Sequence, residues 1–239
     1  MGIKERQERD REAVRRAILD AARELFVTEG FPHVSIRKIA ERIEYSPAAI
    51  YSYFPSKDDI FFALAEEGFR LLGSPTVAGA GEHFKQLSPL DRLRAAFWRV
   101  YEFSGQHPQY FALMFMERSV PRISREYERF AFVRTRKQEI ASLIDACVAS
   151  GDLPASTDPG VAVRMLMAGV LGITGLRLSQ RLAPGENADD LARDVLEVTI
   201  AGLRTGVTLR SKPAVFCAAE PSEADLHPVR AARPAVQEP

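Results

Sequence analysis

Small and hydroxyl-bearing side chains cluster between residues 46 and 53, and a serine and two cations flank them. The set, in chain order, is Ser35, Arg37, Ser46, Pro47, Ala48, Ala49, Tyr51, Ser52, Tyr53 and Lys57. Small side chains let a backbone approach base edges closely, and an alanine methyl can contact a thymine methyl. Hydroxyls, cationic groups and the amides at a helix start bind phosphates. These residue types therefore predict a surface that contacts double-stranded DNA and reads part of its sequence through apolar contacts.

Two short helices joined by a turn are predicted to position this cluster. Ser35 is a capping residue for a helix over residues 34–43, and Ser46 caps the next one, over 46–54. Residues 44–45 form the turn between them. A helix-turn-helix of these dimensions places its second helix in the major groove, with the N-terminal residues of that helix against base edges.

Longer helices are predicted on both sides of the motif. Apolar residues recur at three- and four-residue steps over 11–29, and Gly30 can end that helix in the left-handed conformation. A capping box at Ser56 begins a fourth helix that runs toward Leu72. We therefore expect residues 1–72 to fold as an N-terminal domain, with three helices forming the motif and its support and the fourth leading out.

The first ten residues are predicted to be a flexible arm. Its neighbourhood contains the cations Lys4, Arg6, Arg9 and Arg11 and the acids Glu5, Glu8, Asp10 and Glu12. The cations could reach the minor groove or flanking phosphates. The acids favour instead a frayed terminus of mixed charge without a role in binding.

The rest of the chain is predicted to form a helical C-terminal domain over residues 73–210. Helices are expected near 90–104, 108–119, 122–150, 158–181 and 188–208. The Gly-, Ser- and Pro-rich stretch 73–89 is either a flexible connector or a broken helix, and 211–239 is expected to be a disordered tail. Since no convincing strand pattern occurs, the predicted fold class is all-α.

Aromatic and methionine side chains are concentrated in this second domain. The residues that we expect to line a ligand site are Trp98, Tyr101, Phe111, Met114, Phe115, Phe132 and Met167. Such a stripe is more often plain core, but flexible methionines with aromatic walls also suit an apolar or aromatic small molecule. The Tyr101 hydroxyl or His107 would then orient the ligand.

The last two helices are predicted to form a dimer interface. Its residues are Ala168, Gly172, Gly175, Leu176, Leu191, Val195 and Val198, which combine small side chains with apolar area. The alternative is that the two helices pack only within one chain. A two-fold dimer would place two recognition helices about one DNA turn apart and would require a palindromic site.

Composition limits the other possible functions. The 32 basic and 32 acidic residues balance, so affinity for nucleic acid must come from a local patch. Cys147 and Cys217 are far apart and the four histidines are scattered, which predicts neither a metal site nor a cofactor. Catalytic motifs are lacking, so an enzyme is not expected.

The start of the chain and the short apolar stretch 165–178 predict a cytoplasmic protein that does not enter a membrane.

The N-terminal sequence resembles the TetR family of transcriptional regulators. The resemblance lies in VSIRKIAERIEYSPAAIYSYFPSKDDIFFAL and extends over about 11–69. It implies an all-helical homodimer that binds a palindromic operator, commonly as a repressor. It also implies that a small ligand, bound in the C-terminal domain, releases the protein from DNA. The recognition positions implied are Ser46, Pro47, Ala48, Ala49, Tyr51, Ser52 and Tyr53, with Lys57 as the implied phosphate-binding lysine.

The sequence departs from that family pattern at the turn and in the recognition helix. Glu44 stands where relatives usually have glycine, so it must adopt a left-handed or strained conformation and brings a negative charge close to DNA. Ala48 and Ala49 stand where the family more often has Gly and Thr, which removes one hydroxyl contact. A helical ligand-binding protein of the same fold without DNA binding therefore remains the alternative hypothesis.

Overall fold

Every regular element in the described part of the chain is helical. The computed structural model describes residues 2–73, 81–117, 131–206 and 209–211. The helices are α1 (Ile3–Glu29), α2 (Ile36–Arg42), α3 (Pro47–Tyr51), α4 (Lys57–Leu72), α5 (Gly81–Gln86), α6 (Pro89–Gln106), α7 (Pro108–Phe111), α8 (Ala131–Ala149), α9 (Pro159–Leu178) and α10 (Ala188–Arg204). A 3₁₀ turn covers Phe31–His33, and a π-helical segment covers Ala112–Met116. The all-α prediction is confirmed.

Serine caps begin three of the N-terminal helices, as the sequence predicts. The Ser35 and Ser46 hydroxyls each accept a hydrogen bond from the backbone amide three residues ahead, at 3.2 Å, and Ser56 does the same for α4. Each bond satisfies an amide that the helix itself leaves without a partner. The starts of α2, α3 and α4 are therefore fixed by local chemistry.

The start of α1 differs from the prediction. Residues 3–10 continue the helix instead of forming a flexible arm, and α1 begins at Ile3, not at Arg11. The Gly2 amide donates a hydrogen bond to the Glu5 carboxylate at 3.0 Å, which closes the first turn. The extension is exposed and carries no apolar stripe, so hydrophobic periodicity could not reveal it.

The end of α1 and the following turn close one side of the N-terminal core. Gly30 has a φ of 83°, and its amide donates a hydrogen bond to the Phe26 carbonyl at 3.1 Å. The chain then folds back, so that the rings of Phe26 and Phe31 lie 5.0 Å apart and are buried. Fully buried Ile39 and Ile50 place α2 and α3 against the same core. A fully buried side chain of this kind stabilises a fold by about 1.5–3 kcal/mol.

The second domain is a bundle in which α6, α8, α9 and α10 pack on one another. The approach of α9 and α10 is close, because a Cβ placed on Gly169 would lie 2.7 Å from Val195 Cγ1. Phe97 and Phe103 of α6 are fully buried in the same core. One continuous apolar cluster joins this bundle to the N-terminal domain.

The predicted helix over 108–119 is interrupted. It is α-helical only through Phe111, and the Glu117 amide then donates to the Ala112 carbonyl five residues back, at 2.9 Å. Glu117 itself is extended, so the helix ends before its predicted boundary. Residues 118–130, the stretch 74–80 and the predicted tail from 212 onward lie outside the described residues.

Glu44 adopts the left-handed conformation that the sequence predicts, with a φ of 58°. Because a Cβ is strained there, we expect Glu44→Gly to raise the free energy of unfolding by about 1 kcal/mol. Urea denaturation of both proteins measures the difference. Glu44→Ala keeps the Cβ and is the matched control, and a gain in stability as large as that of the glycine variant would contradict this account.

Candidate DNA-binding site and ligand-sensing core

The turn between α2 and α3 fixes the position of α3 relative to α2. The Tyr45 amide donates a hydrogen bond to the Ala40 carbonyl at 2.9 Å, across the left-handed Glu44. On the inner side of α3, Ile50 is fully buried. The short helix is therefore anchored by one turn and one apolar side chain.

The opposite side of α3 is exposed. Ser46, Pro47 and Ala48 are exposed at its N-terminal end, and Ala49 is half-buried. Tyr51 is 55% exposed, which is high for a large aromatic side chain. Ser52, also exposed, donates its hydroxyl to the Ala49 carbonyl at 2.7 Å and keeps its oxygen lone pairs outward. The structure thus brings most of the predicted recognition residues together on one surface.

The flanking predicted residues have different surroundings. Ser35 uses its hydroxyl as a cap, and Arg37 is 81% exposed with its Nε 2.9 Å from the Glu41 carboxylate. Tyr53 is half-buried, with the Arg11 guanidinium 5.8 Å from its ring centre. The sequence analysis did not single out Arg15, whose guanidinium lies 5.3 Å from the ring of Phe54. Its position one helical turn after Arg11 is a signal that could have identified it.

Lys57 points back toward the end of α1. Its ammonium donates a hydrogen bond to the Phe31 carbonyl at 2.7 Å and lies 4.1 Å from the centre of that ring. Burial lowers the pKa of this lysine. In this conformation Lys57 ties α4 to the turn after α1, and contact with a phosphate requires the side chain to rotate outward.

The predicted ligand residues fall into two separate groups. Phe111 is fully buried with its ring 4.9 Å from Phe115, and Phe115 makes an edge contact at 5.9 Å with Phe69 of α4. Met114 lies against Gly68, where a Cβ would overlap its sulfur. Thus α7 and the π-helical segment pack directly on α4.

Tyr101 and Trp98 form the second group, on the side of α6 that faces α9 and α10. The Tyr101 hydroxyl donates to the Asp189 carboxylate at 2.6 Å, and the Arg177 guanidinium lies 4.4 Å from its ring centre. Burial, and then the bond to Asp189, raise the pKa of Tyr101 to about 12. Its hydroxyl therefore joins helices in this structure. The Trp98 indole donates to Glu102 at 2.8 Å.

The two remaining predicted ligand residues and His107 complete this picture. Met167 is half-buried on α9 and packs on the core, whereas the side chain of Phe132 lies outside the described residues. His107 stands at the junction of α6 and α7, with its ring 5.1 Å from that of Phe103. Within the ranges that the structure describes, no group of three or more histidine, cysteine or acidic residues could hold a metal ion.

A polar cluster that sequence reasoning missed joins the two domains. Arg23 of α1 donates to the Gln109 side chain at 2.9 Å and to the Tyr110 hydroxyl at 3.0 Å. Arg16, two turns earlier, pairs with Glu67 of α4. Burial raises the pKa of Tyr110. The residues are far apart in sequence, so nothing in their local spacing indicates the contact.

Family models match both halves of the chain. The model for bacterial regulatory proteins of the tetR family matches residues 18–64, and the model for the tetracyclin repressor-like C-terminal domain matches residues 93–199. The chain belongs to the TetR family.

One curated TetR-type relative is an HTH-type transcriptional repressor of Mycobacterium tuberculosis. It is 44% identical over 55 residues, which are 23% of this chain and 29% of that protein. The match therefore spans less than a third of the relative's length and is short in both chains.

Solved structures of regulators share the fold of this TetR-family chain. PfmR of Thermus thermophilus has a TM-score of 0.59 at 22% identity, covering 78% of this chain and 98% of that one. FadR of Bacillus halodurans, a fatty acid degradation regulator, has a TM-score of 0.63 at 16% identity, covering 79% and 95%. FadR of Bacillus subtilis, solved in complex with stearoyl-CoA, has a TM-score of 0.62 at 17% identity, covering 78% and 97%. At these identities the likeness shows the fold alone.

The predicted dimer residues of this TetR-family chain divide between an outer and an inner face. Ala168, Gly172 and Leu176 are exposed on α9, and Val198 on α10 is 71% exposed. The inner members are half-buried: Leu191 and Val195 pack on the core, and Gly175 lies near Met116, whose Cε would be 3.8 Å from an added Cβ. The described residues therefore leave uncovered an apolar face formed by the outer members.

Helix α9 is longer than the apolar stretch that the sequence analysis considered. It has 20 residues and is long and apolar enough to cross a membrane by length and composition. The apolar helix is therefore not too short to span a membrane, contrary to the expectation from residues 165–178. Core helices of globular proteins pass the same test, and α9 packs against α6, α8 and α10.

Tyr101→Phe should lower the free energy of unfolding by about 1 kcal/mol near neutral pH, because it removes the bond to Asp189. Since folding raises the pKa of Tyr101 above its ordinary value, its contribution is complete below about pH 10 and is lost as the pH rises toward 12. Chemical denaturation at about pH 8 and about pH 11 tests this. Tyr45→Phe, at an exposed tyrosine, is the control; a wild-type advantage over Tyr101→Phe that stays constant across this range would refute the assignment.

Proposed function

We propose that this TetR-family protein is a ligand-responsive, DNA-binding transcriptional repressor. It binds a palindromic operator as a homodimer and is released by a small apolar or aromatic molecule. The observation that carries the proposal is the exposed side of α3, which presents Ser46, Pro47 and Ala48 at the start of the helix and Tyr51 at its end. The repressor from Mycobacterium tuberculosis, similar over 55 residues, supports the same function.

The chemistry of this surface suits recognition in the major groove. Small residues at positions 46–49 allow the helix end to approach base edges, and the serine hydroxyl can bond to several bases. The Tyr51 hydroxyl is free to reach a phosphate or a base because the side chain is exposed. Arg37 can leave its surface ion pair with Glu41 at little cost, since pairs so exposed contribute about 0–1 kcal/mol.

The uncovered face of α9 and α10 supports the homodimer. Gly172 has no atom within 4 Å of an added Cβ, which leaves room for a close partner. Leu176 and Val198 supply apolar area beside it, and exposed apolar patches of this kind mark interfaces. Two helices from each protomer would form a four-helix bundle, and its two-fold axis requires a palindromic DNA site.

The contact between the π-helical segment and α4 supports ligand response. Met114 lies against Gly68, and Phe115 lies against Phe69, so a molecule that displaces this segment must displace α4. Helix α4 starts directly after the recognition helix. Release of DNA requires that the effector bind more tightly to the protein in one position of α4 than in the other. FadR of Bacillus subtilis was solved with stearoyl-CoA, whose stearoyl chain is an apolar group of the kind proposed for this effector.

The alternative is a helical ligand-binding protein that does not bind DNA. The observations that favour it are charge pairings on the N-terminal domain. Lys38 pairs with Glu29, the Arg42 guanidinium lies 3.1 Å from Glu24, and the carboxylate of Glu44 stands in the turn itself. A domain whose cations are paired in this way has a weak electrostatic attraction for DNA.

Electrophoretic mobility shifts with the protein's own upstream intergenic DNA test the proposal. We expect a sequence-selective complex that weakens as salt rises. Tyr51→Ala should weaken it by about tenfold, and Arg37→Ala should lower the slope of log affinity against log salt by about one.

Arg204→Ala removes an exposed cation at the far end of α10 and is the matched control, which should leave both quantities unchanged. A complex of equal affinity with scrambled DNA, or equal effects of all three substitutions, would favour the alternative. If the upstream DNA gives no complex, a genome-wide pull-down extends the test to other operators.

Val198→Glu should convert the dimer to monomers, because it places a charge in the apolar face while the folded monomer accommodates it at a 71% exposed position. Multi-angle light scattering measures the mass. Val27→Glu on α1 is the control and should remain dimeric. A wild-type protein that is monomeric at micromolar concentration, or a Val198→Glu protein that is still dimeric, would exclude this face as the interface.

A further inference from the structure

The groove between α6 and α8 contains arginines for which the described residues supply no hydrogen-bonded or ion-paired carboxylate. The two helices pack on each other. Arg92, early in α6, is near enough to Cys147, late in α8, to act on the pKa of its thiol, and Arg99, two turns later, is near enough to Arg136, early in α8, to be repelled by it. The helices therefore run antiparallel. Arg92 has a buried Nε without a hydrogen-bond partner in the described part of the chain. This groove face of α6 is therefore short of anionic partners.

Arg99 is the clearest case. It is half-buried and makes no hydrogen bond or ion pair with the residues that the structure describes. The nearby carboxylate of Glu102 accepts a hydrogen bond from the Trp98 indole at 2.8 Å and is beyond ion-pair distance of Arg99. By contrast, Arg94 on another face of α6 has two carboxylate partners. Burial of Arg99, and then repulsion from Arg136, lower the pKa of Arg99.

Arg136 brings a second guanidinium to the same place and holds it against the end of α4. A Cβ on Gly73 would overlap this guanidinium, so the absence of a side chain at position 73 makes room for it. Its Nη1 lies 2.7 Å from the Glu139 carboxylate, which occupies one of its nitrogens. Two partly desolvated cations that repel each other cost stability unless an anion joins them.

The apolar group described above begins one helical turn from this point. Phe69 precedes Gly73 by four residues on α4 and contacts Phe115 of the π-helical segment. A molecule with an apolar chain among Phe69, Phe111 and Phe115 would therefore reach the two arginines with its polar end. Bidentate hydrogen bonds from guanidinium groups match the geometry of carboxylate and phosphate.

We propose that Arg99 and Arg136 form an anion-binding subsite at the junction of α4, α6 and α8, and that the effector is an amphiphile with a carboxylate or phosphate head. This inference rests on the proposed function, since it specifies the chemical class of the effector. Binding of the head group to Arg136 would change the contact between this side chain and Gly73 at the end of α4. The effector would thus contact both the apolar and the charged boundary of the helix that leads to the recognition helix.

Fluorescence titration of the full-length protein tests the subsite. Trp98 is the only tryptophan and is adjacent in sequence to Arg99, so its emission reports on this part of α6. The probes are dodecyl phosphate, dodecanoate, dodecanol and inorganic phosphate. We expect both anionic amphiphiles to bind at least about tenfold more tightly than dodecanol, because charge-assisted hydrogen bonds are formed only with the anions.

Arg99→Gln should reduce this anion preference to about twofold or less, whereas Arg181→Gln, an exposed arginine in the α9–α10 loop, should retain it. Without ligand, Arg99→Gln should unfold at a Tm no lower than that of the wild type, since it removes a cation without a partner. Inorganic phosphate that binds alone with the same dependence on Arg99 would support the subsite and identify a free anion as its ligand.

Three binding results would overturn the subsite: equal affinity of the wild type for the anions and dodecanol, an anion preference that survives in both Arg99→Gln and Arg136→Gln, or no binding of any probe. A clear fall in Tm of ligand-free Arg99→Gln would also overturn it, because it would reveal a structural role. Mobility shifts on the same preparations separate the two hypotheses. Anion preference without DNA binding would remove the regulator function alone, and DNA binding without anion preference would remove the subsite alone.

Discussion

A helix of five residues has no stability of its own, and the surface that would read DNA is such a helix. Nucleation of an isolated turn is unfavourable, so α3 exists because its surroundings impose it. The helix begins at the Ser46 cap and is anchored to the core by the buried Ile50. Its direction is set by the turn at the left-handed Glu44. Each of these depends in turn on the core between α1 and α4. Apart from Ser46, whose hydroxyl also caps the helix, the small residues at the exposed end of α3 are free to serve contact, because the core and the turn hold the helix in place.

The same core continues into the second domain without a break. Arg23 binds the side chains of Gln109 and Tyr110, and Gly68 accommodates Met114, so α1 and α4 are each bound to the segment after α6. Packed interfaces of this kind change between discrete arrangements and do not deform gradually. A change in the aromatic group around the π-helical segment is thus connected to the angle of the recognition helix through two independent sets of contacts, one polar and one apolar.

Local sequence signals were sufficient for the all-α fold and for the caps and turn that position the proposed DNA-binding surface. The caps at Ser35 and Ser46 and the strained Glu44 depend on residues within a few positions, and all three have the predicted geometry. Features set by residues distant in sequence could not be obtained in this way. Tyr101 was expected to face a ligand, yet its hydroxyl binds Asp189, 88 positions later. The lack of a carboxylate partner for Arg99 among the described residues is likewise visible only once α6 and α8 lie side by side. The helical start at Ile3 was missed for another reason, because its exposed residues carry no apolar period.

The close approach of α9 and α10 links the evolution of two positions. The space that a methyl group at position 169 would need is already filled by Val195, and a β-branched side chain has little rotamer freedom to move away. An alanine at position 169 is therefore tolerated only after the residue at position 195 has become smaller. A residue larger than valine at position 195 excludes alanine at position 169. The outer face of the same two helices is the proposed contact between protomers. Substitutions that keep residues 169 and 195 compatible in size therefore preserve the shape of that face, although neither residue lies on it. Residues on the proposed interface can therefore diverge independently of the pair that sets how closely α9 and α10 approach.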